Sequence, residues 1–165
     1  MRTWIIVSAL AAAGAGAATA EPSTSPRPIG SLGAGGDLQV AGTQGAPRGR
    51  VAAEAIAYVT RKYGVYASAR RVLVDPAFDE GQVTVGVALR AAAARPLLEL
   101  VVHADAGVAW PDVDPVVGGG VTTFLWPLKK VPVAVTTGLG AYVVLDGVDD
   151  TRLVLGLNLG LAIAR

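Results

Sequence analysis

Three side chains suited to proton transfer or metal binding recur at close spacing: Glu99, His103 and Asp105. In an extended strand, residues of like parity share a face, so all three point the same way. Two carboxylates and an imidazole on one face could form a general acid–base set or ligate a metal ion. The rest of the sequence favours a structural role. His103 is the one His of the chain and there is no Cys. That removes thiolate nucleophiles, Cys-based zinc sites and disulfide scaffolds, and leaves a His-built site with a single ligand. Arginines stand ready to neutralise the acids, with Arg90 on the neighbouring segment and Arg152 near the C-terminus. Glu54, Arg90, Glu99, His103, Asp105 and Arg152 therefore read as charges that satisfy one another in a water-poor interior. No catalytic, cofactor-binding or metal-binding residue is assigned, and Ser68 lies in no nucleophile motif.

The elements that carry these charges have a period of two. Leu153, Leu155, Leu157, Leu159, Leu161 and Ile163 alternate with Arg152, Val154, Gly156, Asn158, Gly160, Ala162 and Ala164. An amphipathic helix would need spacings of three and four. Val131, Val133, Val135, Thr137, Leu139, Ala141, Val143 and Leu145 repeat the pattern, with Pro132, Ala134, Thr136, Gly138, Gly140 and Tyr142 opposite. Around the charged trio, Leu98, Leu100, Val102, Ala104, Ala106, Val108 and Trp110 face away from Glu99, His103, Asp105 and Gly107. Val83, Val85, Val87 and Leu89 alternate with Gln82, Thr84, Gly86 and Arg90.

Turn residues separate the runs, among them Asp75-Pro76, Asp79-Glu80-Gly81, Arg95-Pro96, Asp114-Pro115 and Asp146-Gly147. The expected strands are 81–91, 97–110, 116–126, 131–145 and 152–164, with 64–74 a further strand and 37–44 a short one. Glycines blur the facing of 116–126. Residues 50–63 fit two descriptions. Their alanines favour a helix, with Arg61 and Lys62 in its last turn and Gly64 as a cap. The surrounding hairpins favour a strand with Val51, Ala53, Ala55, Ala57 and Val59 on one face, and the strand is preferred.

The N-terminus is set apart. Met1-Arg2-Thr3 precedes an apolar stretch from Trp4 to Ala13, and Ala18-Thr19-Ala20 resembles a cleavage site. Residues 1–20 are thus expected to be a secretory signal peptide. Residues 21–36, rich in Pro, Ser, Thr and Gly, read as a linker, and 37–165 as the folded unit. The full chain has 14 basic and 13 acidic residues. Removing Arg2 leaves 13 of each, so no basic excess points to a nucleic-acid partner.

Charged residues fall on the face opposite the aliphatics, and that face is otherwise small. This is the pattern of a narrow closed lumen whose outside meets lipid. The turns supply an independent sign. With eight strands, the odd-to-even connections near 45–49, 75–80, 111–115 and 146–151 hold Asp75, Asp79, Glu80, Asp112, Asp114, Asp146, Asp149 and Asp150 against only Arg48. The even-to-odd turns near 61–63, 92–96 and 127–130 hold Arg61, Lys62, Arg95, Lys129 and Lys130 and no acid. Two chemically different rims suit a barrel set in a membrane.

On these features the chain resembles a small bacterial outer-membrane β-barrel of the eight-stranded OmpA/opacity type, over about 37–165. The resemblance rests on pattern and carries no specific motif. It implies an all-β, antiparallel up-and-down transmembrane barrel in a Gram-negative envelope, porin-like in architecture. It implies lipid, including lipopolysaccharide, and the barrel-assembly machinery as partners. It also implies aromatic girdles at the membrane interfaces, for which Trp110, Phe124, Trp126 and Tyr142 are the candidates. The chain departs from the pattern by ending Ile163-Ala164-Arg165 rather than on an aromatic, and by being only 5% aromatic. Some such barrels are lipid-modifying enzymes with a His-Ser pair near the outer rim. Here Ala104 follows His103.

The expected function is a non-enzymatic outer-membrane barrel with an envelope-structural or limited-permeation role, its lumen plugged by the charges. The alternative is a secreted or periplasmic soluble β-rich protein, of α+β class if 50–63 is a helix, binding an apolar ligand. The two differ in one respect: the alternative needs Leu155, Leu157 and Leu159 in a core.

Overall fold

The computed structural model describes residues 28–41, 47–72, 80–94, 98–127, 131–146 and 150–164. The expected signal peptide lies outside them. Eight strands follow one another: β1 Ile29–Ala41, β2 Arg48–Tyr58, β3 Tyr63–Val72, β4 Gly81–Ala94, β5 Leu98–Trp110, β6 Asp114–Leu125, β7 Val133–Asp146 and β8 Asp150–Ala164. Each pairs antiparallel with the next, and β1 pairs with β8, from Ile29 opposite Ala164 to Ala41 opposite Leu153. The result is a closed up-and-down barrel with no free sheet edge. The strands run 10 to 15 residues, long enough to cross a bilayer when tilted.

The contested segment 50–63 is a strand as far as Tyr58, bends at 59–62, and enters β3 at Tyr63. β2 places Arg50, Ala52, Glu54 and Ile56 inward and buried, with alanines facing out between them. Helix propensity gives way to the ladders that β2 forms with β1 and β3.

The expected boundary at residue 37 is corrected: β1 begins at Ile29, so the glycine-rich stretch 29–36 is barrel wall rather than linker. Two of its glycines answer to close packing at the seam. A Cβ at Gly35 would run into the backbone of Leu157, and one at Gly33 would come 2.6 Å from the Asn158 side chain. Glycines of β6 and β7 have a similar explanation. A Cβ at Gly118 or Gly140 would meet the Tyr142 ring, and one at Gly120 would approach His103 Nε2 to 2.9 Å. Absent side chains on β6 and β7 make room for two rings projecting into the lumen.

Polarity is inverted relative to a soluble barrel. Leu155, Leu157 and Leu159 are 39%, 65% and 61% exposed, so the core placement required by the soluble alternative is not met. Val85, Val87, Leu139, Leu161 and Ile163 extend this exposed aliphatic surface around the barrel. Buried Ser68, Thr84, Thr122 and Thr136 face inward with the charged groups. A soluble monomer rarely exposes so continuous an apolar surface. A barrel in hydrocarbon requires it, because its outward side chains meet lipid while closure pairs the strands' backbone. Leu157→Arg, at mid-strand, should therefore cost about 2–4 kcal/mol in urea titrations of the lipid-reconstituted protein, and Val113→Arg, in the β5–β6 turn, about 0–1 kcal/mol. Equal small costs at both positions would contradict the inverted arrangement.

Candidate functional site

The barrel has two unlike ends. The terminal end carries the start of β1, the end of β8 and the even-to-odd turns. The loop end carries the odd-to-even connections. The lumen changes character between them.

At the terminal end, Ile29, Ile56, Tyr66, Ala88, Val101, Phe124, Ala134 and Ala162 form one buried cluster, with Tyr58, Trp126 and Ala164 packed against it. One acid sits within this layer. Glu99 Oε1 accepts hydrogen bonds from the Tyr58 hydroxyl at 2.5 Å and from Arg90 Nε at 2.7 Å. The Arg90 guanidinium also lies over the Tyr58 ring, 4.8 Å from its centroid. At mid-barrel the His103 ring stacks on Tyr66, with centroids 4.0 Å apart and planes 14° apart. His103 Nδ1 lies 2.9 Å from Asp105 Oδ1, and with a proton on Nδ1 the ring donates to the carboxylate. The Ser68 and Thr84 hydroxyls bond to each other at 2.8 Å. Glu54 is buried opposite Ser31 and Ser68, within electrostatic reach of Arg50 and Arg70.

Toward the loop end, Tyr142 packs with Val116 and Val144. Arg70 donates from Nη2 to the Tyr142 hydroxyl oxygen and also lies against its ring. Beyond it Arg50 Nη1 is 3.1 Å from Asp37 Oδ1, and Arg48 pairs with Glu80 at 2.6 Å. Arg152 lies 3.6 Å from both Glu80 and Asp114.

The expected set of charges thus divides into layers. Arg90 and Glu99 meet at one end, His103 and Asp105 meet at the middle, and Arg152 is at the other end. Grouping Arg152 with Glu99 and His103 is corrected by strand direction: β5 starts from the terminal end and β8 from the loop end, so early residues of the two lie at opposite mouths. The separation of signs in the turns also needs amending. Glu80, Asp112 and Asp114 do lie at the loop end, and Arg61 and Lys62 at the terminal end. Asp75, Asp79, Asp149, Arg95, Lys129 and Lys130 lie outside the described residues. Strand arginines Arg48, Arg50, Arg70, Arg71 and Arg152 nevertheless gather at the acidic end.

Three of the four aromatics expected at the membrane interfaces are elsewhere. Phe124 and Tyr142 are buried in the lumen, and Trp126 packs on the terminal cluster, stacked near Phe124. Their even numbering puts them on the inward faces of β6 and β7, where glycines leave space for rings. Trp110 pairs with Gly81 near the loop end and lays its ring over it, and Tyr63, not anticipated, is exposed at the terminal end. Tyr58, Tyr66, Arg50 and Arg70 were equally unforeseen. The parity of β2 and β3 carries their signal, since each alternates with small outward residues. Among the described residues no three acids or histidines converge as a metal site.

Solved structures share this architecture. Neisserial surface protein A aligns with a TM-score of 0.59 at 13% identity, over 84% of this chain and 97% of that one. Ail, the attachment invasion locus protein of Yersinia pestis, aligns with a TM-score of 0.51 at 12% identity, over 85% of this chain and all of that one (100%). Ail has also been solved with the heparin analogue sucrose octasulfate. A de novo designed transmembrane β-barrel aligns at 0.57 and 13% identity, over 86% of this chain and 98% of that one. No protein-family model matches the chain, and no curated protein sequence does. What is shared is the fold, that of small transmembrane β-barrels.

The terminal ion pair makes a quantitative prediction. Arg90→Met leaves the Glu99 carboxylate in an apolar layer and should cost about 2 kcal/mol or more in urea unfolding, whereas Arg90→Met with Glu99→Met should return close to wild type. Additive losses in the double variant would show that the pair is not coupled.

Proposed function

We propose that the chain is a non-enzymatic barrel of the outer membrane with an envelope-structural role, its lumen closed by its own side chains. The observation that carries this reading is the inverted polarity: aliphatics face out on every side, while rings, hydroxyls and paired charges fill the interior. A continuous lipid-facing belt and a filled lumen suit a wall element better than a channel. Tyr66 and Val101 are each 0% exposed, which supports a closed interior. His103 is engaged by buried Tyr66 and Asp105, which favours a packing role over acid–base work. In this reading the barrel-assembly machinery inserts the chain, and lipid, including lipopolysaccharide, surrounds it.

Planar-bilayer recording tests the closed lumen. The refolded wild-type protein should give no stepwise conductance. Tyr66→Ala combined with Phe124→Ala should open small steps by emptying the terminal layer. Regular conductance steps from the wild-type chain would instead support limited permeation.

A further inference from the structure

At the loop end, four charged side chains of alternating sign are linked across the mouth of the barrel. Arg48 Nη1 is 2.6 Å from Glu80 Oε2. The other carboxylate oxygen of Glu80, Oε1, is 3.6 Å from Arg152 Nη1, and Arg152 Nη2 is 3.6 Å from Asp114 Oδ2. Paired backbone holds all four. Arg48 lies opposite Asp37 in the β1–β2 ladder, Asp114 opposite Ala109 in β5–β6, and Arg152 opposite Val144 in β7–β8. The Glu80 carbonyl accepts a hydrogen bond from the Val72 N–H at 3.0 Å, which carries the β3–β4 ladder one residue beyond Gly81.

The closed strand order gives this chain of charges its direction. Around a ring of eight, β4 and β8 are four steps apart either way, so they are opposite walls. Glu80, at the start of β4, and Arg152, in β8, therefore reach each other across the lumen. Arg48 on β2 and Asp114 on β6 tie the other two even-numbered strands to the same line. Beneath it is a cavity of about 80 Å³, several times the ~15 Å³ that one bound water needs. Asp37, Gln39, Arg50, Arg70 and Gln82 are in its wall. Tyr142, which packs with Val116 and Val144 and accepts the Arg70 hydrogen bond, lies at its floor. Gln39 Nε2, Gln82 Nε2 and Arg70 Nε are buried without a protein partner. Such donors call for solvent, which makes the cavity a wet chamber.

The links over this chamber are weak ones. The four side chains are between 15% and 32% exposed, and two of the three contacts are 3.6 Å long. Ion pairs of this kind contribute little and are screened by salt, so a covering made of them opens and closes readily. We propose that Arg48, Glu80, Arg152 and Asp114 form a salt-sensitive strap that governs entry to the loop-end chamber, closed while the pairs hold and open when salt screens them. The strap rests on the barrel reading in requiring β4 and β8 to be opposite walls of a closed ring, and it adds a gated chamber above the sealed part of the lumen.

Thiol accessibility tests this, since the chain has no Cys of its own. Gln82→Cys places a thiol on the chamber wall, and Val113→Cys an exposed reference in the β5–β6 turn. Each variant of the refolded full chain, in an uncharged detergent, is reacted with two neutral methanethiosulfonates, one carrying a hydroxyethyl group and one a bulkier glucosyl group. The rate with the small reagent divided by the rate with the large one reads access, because a change in thiol ionisation cancels. At low salt this ratio should be several times larger for Gln82→Cys than for Val113→Cys. It should fall about two- to fivefold in ~1 M KCl, and by a similar factor on adding Glu80→Gln at low salt, with the Val113→Cys ratio unmoved. Glu80 is the link to remove because Arg48 and Arg152 have further partners. The salt arm needs no second substitution, and Gln39→Cys on the same wall replaces Gln82→Cys if that variant fails to fold. Equal ratios at the two sites from the outset, or a chamber ratio that salt or Glu80→Gln leaves in place, overturn the proposal. Absence of heat-modifiable gel migration in the wild type would overturn the barrel reading itself.

Discussion

In hydrocarbon a backbone N–H or C=O finds no water, so each has to find its partner within the chain, and the ladder between β1 and β8 is what makes this possible here. Seven hairpin pairings alone would leave an open sheet with two exposed edges. The eighth joins the first strand to the last. It is also the ladder that the amino-acid composition hides best. Gly33, Gly35 and Gly36 look like linker, yet the approach of β1 to β8 leaves no room for a Cβ at Gly33 or Gly35. Closure, in this chain, is obtained with glycine rather than with the β-branched residues that usually mark a strand.

Closure at this width fixes the interior. An eight-stranded barrel encloses just enough space to be filled by side chains, so each large inward residue needs small neighbours. Tyr142 has Gly118 and Gly140; His103 has Gly120. Charge follows the same economy. Near the terminal end one acid is held by one arginine and one phenol, as expected where an unpaired ion would be costly. At the loop end the described arginines Arg48, Arg50 and Arg152 meet the acids Glu80, Asp37 and Asp114. The lumen therefore runs from an apolar seal, through a polar middle, to a mouth of paired charges.

Much of this was legible in the sequence. The alternation from residue 81 onward fixes five strands and assigns their faces, including the inward Glu99, His103, Asp105 and Arg90. It also puts Tyr142 on the small-residue face; an interface role for it follows only from the resemblance, and the structure sides with the alternation. Two things were not legible. The first was β1, because glycine carries no periodic signal. The second was the depth at which each charge sits. Alternation says which face a residue takes, but depth depends on strand direction and register, and Arg152 is set apart from Glu99 by direction alone. The arginines of β2 and β3 were missed for a related reason: the charge reading concentrated on the turns, while Arg50 and Arg70 lie within strands.

The inverted polarity of the wall underlies every functional reading of this chain, and β8 displays it most simply. Nitroxide labels placed singly from residue 153 to 163 in the lipid-reconstituted protein test it directly, through collision with oxygen, which concentrates in the hydrocarbon. The account predicts accessibility that alternates with period two, with maxima at the odd positions occupied by Leu153, Leu155, Leu157, Leu159, Leu161 and Ile163. Accessibility that peaks at the even positions, or that shows no alternation, would contradict it.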